Sequence, residues 1–135
     1  MAQVLVIDDE EPVRFMLQVA LQKAGHVVEV ADTGRKALLQ VSKSLPDLVI
    51  TDIIMPDMEG IETIIQLKKN CPDMPIIAIS GGGRMENRDY LDLAKQCGAI
   101  QTFEKPFNTK ALIEAVNAEL ASSDYGPVAT SRKHA

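Results

Sequence analysis

The stretch DLVITDIIMPDMEG, residues 47–60, decides how the rest of the chain reads. Leu48, Val49, Ile50 and Thr51 make an aliphatic and β-branched run, the kind carried by a strand covered on both faces. The run delivers a carboxylate, Asp52, to its tip and turns at once through Met55 and Pro56. A charge at the edge of an apolar core is costly unless something pairs with it. The meaning of Asp52 therefore depends on what else reaches the same edge.

Working outward, four more short runs read as strands: VLVI (4–7), VVEVA (27–31), IIAIS (76–80) and IQTFE (100–104). Helical spacing fills the gaps between them. Val13, Met16, Leu17, Ala20, Leu21 and Ala24 recur at threes and fours, and Gly25 stops that helix. Pro12 suits a first helical turn, where its missing N–H is no loss. A second helix is expected over about residues 34–43 with Asp32 or Thr33 as its cap. Ile61, Ile64, Ile65 and Cys71 mark a third, and Tyr90, Leu93, Ala94 and Cys97, closed by Gly98, mark a fourth. Leu112, Val116 and Leu120 mark a fifth, with Asn108 as N-cap. Strand and helix alternate five times. This predicts an α/β fold, a doubly wound parallel sheet of five strands with right-handed crossovers and helices on both faces.

The chain has 135 residues, enough for one domain with a real core and short for two. Hydrophobic residues make up 46% and charged residues 24%, an ordinary balance for a soluble domain. The domain is expected over residues 1–121. From Ser122 the periodicity is lost, and 122–135 read as a disordered tail or the start of a linker. No apolar run approaches a membrane span, and MAQVLVIDDEE lacks the marks of a signal peptide, so a cytoplasmic protein is expected. The net charge of −5 argues against non-specific nucleic-acid binding. Cys71 and Cys97 fit no metal or redox spacing and read as reduced, semi-buried thiols. His26 and His134 are isolated and suggest neither a metal site nor a catalytic base.

Parallel strands set their C-terminal ends along one edge, where ligands of doubly wound sheets bind. Here Asp8, Asp9, Glu10 and Glu11 follow the first strand, Asp52 the third and Lys105 the fifth, while Ser80 ends the fourth. Each has a plain structural explanation. Acids before Pro12 complement a helix dipole, Asp52 opens a turn, and Ser80 with Gly81, Gly82 and Gly83 makes a flexible loop. All of them at one edge is a much rarer coincidence. If the first and third strands are neighbours, Asp8, Asp9 and Asp52 converge, and three carboxylates in a partly desolvated cleft call for a cation. Mg²⁺, which takes carboxylates, waters and phosphate oxygens, fits this need. With the hydroxyl of Ser80 and the charge of Lys105, the site suits a phosphoryl group.

At this point VLVIDDE, LVITDIIMPDMEG, PIIAISG and KPF, over about residues 3–121, closely resemble the receiver domain of two-component response regulators. The resemblance implies the flavodoxin-like strand order 2-1-3-4-5. It makes Asp52 the phosphoacceptor, and Asp9, Asp52 and the backbone carbonyl of Ile54 direct Mg²⁺ ligands, with Asp8 acting through water. It sets Lys105 and Ser80 against the phosphoryl oxygens, has Gly81 keep the approach open, and makes the bond before Pro106 cis. Pro56 and Gly60 occupy the family's turn after the acceptor. The family's aromatic switch position, three before the lysine, holds Thr102, and Phe103 points to the opposite face by strand alternation. The implied partners are a histidine kinase or histidine phosphotransfer protein as phosphodonor and an unidentified output protein. The implied role is a phosphorelay switch that catalyses only its own phosphorylation and dephosphorylation.

Two other readings compete. One is a receiver cut from a longer hybrid kinase or DNA-binding regulator. A haloacid-dehalogenase-type phosphatase also uses a strand-end Asp and Mg²⁺, but needs a second acid two residues on, where this chain has Ile54. Nucleotide binding through SGGGR fails because no Walker Lys-Ser/Thr follows.

Overall fold

The computed structural model describes residues 2–53, 60–81 and 86–123. Five parallel strands, β1 (Gln3–Ile7), β2 (Val27–Ala31), β3 (Leu48–Asp52), β4 (Ile76–Ser80) and β5 (Gln101–Glu104), alternate with five helices. These are α1 (Glu11–Lys23), α2 (Gly34–Lys43), α3 (Gly60–Asn70), α4 (Glu86–Cys97) and α5 (Thr109–Ser123). The sheet order is β2-β1-β3-β4-β5, as the resemblance implies.

Strand alternation divides the core in two. Leu5, Ile7, Val49, Ile76 and Ala78 face one layer with Ala37, Val41, Ile64, Leu67 and Ala94 of α2, α3 and α4. Val4, Val6, Leu48, Ile50, Ile77 and Ile79 face the other, with Leu17, Leu21, Leu112, Val116 and Leu120 of α1 and α5. Both faces of β3 and β4 are buried along their whole length, which is why these strands read as unbroken apolar runs. β2 and β5 lie at the two sheet edges and are mostly half-buried, so they admit Glu29 and Glu104.

Helix ends follow their local chemistry. Thr33, not Asp32, caps α2, its hydroxyl accepting from Lys36 N at 3.1 Å. Asn108 Oδ1 accepts from Ala111 N at 3.1 Å at the start of α5. Gly25 and Gly98, after α1 and α4, have φ of 95° and 124°, the left-handed region that glycine enters without strain. Cys71 and Cys97 are free and half-buried, as expected.

Several expected core positions are corrected. Met16 and Ala24 of the first helical pattern are exposed, and Leu17 and Leu21 carry its buried stripe. Ile65 is likewise exposed while Leu67 is fully buried. At 100° per residue Ile64 and Ile65 cannot both face the core, and Leu67, three beyond Ile64, takes the place. Leu93 and Ile100 are also exposed, and β5 begins at Gln101. α5 runs to Ser123, two residues beyond the expected domain boundary.

Candidate functional site

The register places the site. β1 pairs with β3 so that Ile7 opposes Thr51, and the next residues, Asp8 and Asp52, leave the two central strands side by side. β3 pairs with β4, setting Asp52 opposite Ile79 and Ser80 just beyond. Asp8, Asp52 and Ser80 are all buried. Lys105 reaches them from the far side of β5, its backbone N–H donating to Ser80 O at 2.7 Å. The Lys105–Pro106 bond is cis.

The backbone around Asp52 is pinned from three sides. Ile53 N donates to Ile79 O at 3.0 Å, Gly60 N donates to Ile53 O at 3.0 Å, and the Thr51 hydroxyl donates to Asp52 O at 2.9 Å. Gly60 packs so closely that a Cβ there would strike Asp52 O and Ile53 Cα. Only glycine allows α3 to start against the end of β3.

The side chains meet over this edge. Lys105 Nζ lies 2.9 Å from Asp8 Oδ2, 2.9 Å from Glu10 Oε1 and 3.5 Å from Asp52 Oδ2. Asp8 Oδ1 accepts from Glu10 N at 2.9 Å, and Asp8 O accepts from Arg14 Nη1 at 2.7 Å. Asp8 Oδ2 meets the Lys105 ammonium as a buried ion pair. Burial pushes the Asp8 carboxyl above the usual range for aspartate, against the lowering effects of Glu10 N–H and Lys105. Burial also works against the Lys105 ammonium, but its bonds to Glu10 and Asp8 and the charge of Asp52 outweigh that and raise its pKa.

Carboxylate oxygens of Asp8, Glu10 and Asp52 fall within 4.8 Å of one another. The expected trio was Asp8, Asp9 and Asp52, and here Asp9 is exposed. Asp8 Oδ1 accepting from the N–H two residues on closes an Asx-type turn. That turn brings Glu10 back over the edge and leaves Asp9 outside. Three carboxylates lie around the Lys105 ammonium. Hard oxygen donors of this kind fit Mg²⁺.

Of the other expected residues, Gly81 is half-buried, and a Cβ there would meet nothing within 4 Å. Thr102 is half-buried and pairs with Ala78, while Phe103 packs in the opposite layer, edge-on to Phe107 with ring centroids 6.5 Å apart. Ile54, Met55, Pro56, Gly82, Gly83 and Arg84 lie outside the described residues. Glu10 is the residue that sequence reasoning missed. Its signal was its place two residues after a strand-end Asp, where an Asx turn returns the chain.

A buried strand-end aspartate beside a lysine after β5, on a 2-1-3-4-5 sheet, agrees with a match of residues 4–117 to the response regulator receiver domain. The chain belongs to that family. It is 31% identical over 118 residues to the sporulation initiation phosphotransferase F of Bacillus subtilis, covering 87% of this chain and 93% of that one. It is 36% identical over 124 residues to the DNA-binding transcriptional regulator NtrC of Azospirillum brasilense, covering 90% of this chain. The receiver domain of NtrX from Brucella abortus superposes with a TM-score of 0.82 at 30% identity, over 88% of this chain and 98% of that one. The receiver chain spans 25% of the length of the NtrC regulator and 54% of that of the mycobacterial response regulator MprA. Receiver domains are signalling domains and bind Mg²⁺ at an acidic pocket. Among the described residues no helix is long and apolar enough to cross a membrane.

Proposed function

We propose that this receiver accepts a phosphoryl group from a phosphohistidine donor onto Asp52 and thereby switches its binding to an output protein. The observation that carries this reading is the grouping of Asp52 with Asp8 and Lys105 at one sheet edge, with Lys105 Nζ 3.5 Å from Asp52 Oδ2. Asp52 is the nucleophile. Its carboxylate oxygen bonds to phosphorus as the phosphorus–nitrogen bond of the donor breaks, and the electron pair leaves with the imidazole. Lys105 neutralises charge on the transferring oxygens, and positioning does most of the rest. The Ser80 hydroxyl lies at the end of β4, where it can donate to the phosphoryl group after transfer. In the ligand set that the resemblance implies, Asp9, Asp52 and the Ile54 carbonyl would hold Mg²⁺ directly and Asp8 would hold it through water. When bound, the ion supplies positive charge against the phosphoryl oxygens.

The donor in this reading is a histidine kinase or histidine phosphotransfer protein, and the setting is cytoplasmic. Nucleic-acid contact by this domain is not expected at a net charge of −5. The alternative, a receiver within a longer hybrid kinase or DNA-binding regulator, is not favoured. The phosphatase reading gains nothing from the family match.

The test is incubation with acetyl phosphate and Mg²⁺ followed by intact-mass measurement. One phosphoryl adduct is expected on the unaltered chain and none on Asp52→Asn. A full adduct on Asp52→Asn would remove Asp52 from the role.

A further inference from the structure

Lys105 is held by an acid that the receiver chemistry leaves without a part. Its ammonium donates to Glu10 Oε1 at 2.9 Å and, over a longer contact, to Asp52 Oδ2 at 3.5 Å. Resting on the receiver reading, we infer that Glu10 is a positioning residue that draws Lys105 away from Asp52 in the resting state and competes with an arriving phosphoryl group for it.

Three observations carry this. Glu10 is the N-cap of α1, yet its side chain makes no capping bond. Serine, threonine, aspartate or asparagine would serve that position better, so the side chain is committed elsewhere, to Lys105. Its backbone is fixed, with N bonded to Asp8 Oδ1 at 2.9 Å and O accepting from Arg14 N at 3.1 Å. Only the side chain is free to swing.

The second observation is the contrast in burial. The Glu10 side chain is 58% exposed, whereas that of Asp8, the other close partner of Lys105, is wholly buried. Released from Lys105, Glu10 regains water; Asp8 cannot. Exposed ion pairs are weak enough to exchange freely, so the Glu10 contact acts as a latch and the Asp8 contact as a tether.

The third is location. Glu10 and Lys105 form the charged edge of a groove of about 480 Å³ whose other lining is Val13, Met16, Gly81, Pro106 and Phe107. A lysine ammonium has three N–H donors. Those turned toward Glu10 are not available to phosphoryl oxygens on Asp52 until the latch opens.

Beryllofluoride, a phosphoryl mimic, tests this at saturating Mg²⁺ by titration calorimetry on the unaltered chain, Glu10→Ala and Glu10→Asp. Aspartate keeps the charge but is one methylene shorter than the 2.9 Å contact requires. Both variants are expected to bind the mimic about three- to fivefold more tightly, the scale of one exposed ion pair. Tighter binding by Glu10→Ala with Glu10→Asp unchanged would mean simple charge repulsion and overturn the latch. Unchanged affinity in both overturns it, as does weaker binding, which would make Glu10 a metal ligand instead. A purely structural Glu10 would shift the melting temperature and leave the affinity alone. No binding by the unaltered chain would overturn the receiver reading and the latch with it.

Discussion

Asp8 shows what a buried carboxylate costs the fold. It is wholly buried, and its Oδ2 lies 2.9 Å from the ammonium of Lys105. Burial raises its pKa above the unfolded value. A raised carboxyl means that the folded state holds more protons than the unfolded one between the two values, so stability falls as pH rises through that window. At neutral pH in a chelator Asp8 therefore opposes folding. Asp8→Asn is expected to raise metal-free stability by about 1 kcal/mol, read as a higher denaturant midpoint at unchanged slope. Mg²⁺ is expected to stabilise the unaltered chain by mass action, and to stabilise Asp8→Asn less. A lower midpoint for Asp8→Asn in chelator would show that the Lys105 contact outweighs desolvation. At this scale the sequence was read unevenly. Asp52, Asp8 and Lys105 were legible because strand ends and family motifs locate them. Glu10 was not, because an exposed acid at a helix start has an ordinary electrostatic use, and its bond to Lys105 spans 95 residues.

Among elements, the junction of β3 and α3 is the most tightly built part of the described site. Gly60 opens α3 in direct contact with the backbone of Asp52 and Ile53. Gly60→Ala is expected to destabilise by about 3 kcal/mol, since the obstructing atoms are backbone and cannot rotate aside. It is also expected to slow phosphoryl uptake by displacing Asp52. Urea titration and the acetyl phosphate assay read the two effects separately. Wild-type stability in Gly60→Ala would mean that α3 can slide along the sheet. Elements were legible where periodicity was strong: every strand was located to within a residue or so of its observed ends. Helix faces were less so. Met16 fits an apolar spacing yet lies exposed on the groove beside Glu10 and Lys105, because hydrophobicity alone does not distinguish a core stripe from a surface groove. Ile65 failed for a geometric reason, adjacency to Ile64.

For the whole molecule the question is how an event at Asp52 reaches a surface. β3 and β4 are packed on both faces and transmit strain rather than absorb it. Ser80 ends β4 inside that packed layer, and its carbonyl anchors the backbone of Lys105. Beyond Ser80 the chain passes through Gly81 toward α4. The edge strand offers less. Thr102, level with Ala78, has a small side chain with little rotamer reach, and Phe103 is engaged with Phe107 in the opposite layer. On the proposed function, a phosphoryl group on Asp52 would add charge and acceptor oxygens that attract Lys105 and the Ser80 hydroxyl. Movement of Ser80 would pull Gly81 and the start of α4, a shift of a known kind. Taking such an equilibrium from 1:99 to 99:1 needs about 5.5 kcal/mol of differential stabilisation, within reach of a few charge-assisted bonds. Hydrogen exchange with and without beryllofluoride and Mg²⁺ is expected to change protection mainly over residues 81–90, with little change at Thr102 and Phe103. The reverse pattern, changes at Thr102 and Phe103 with residues 81–90 unaltered, would assign the path to β5 and α5 instead.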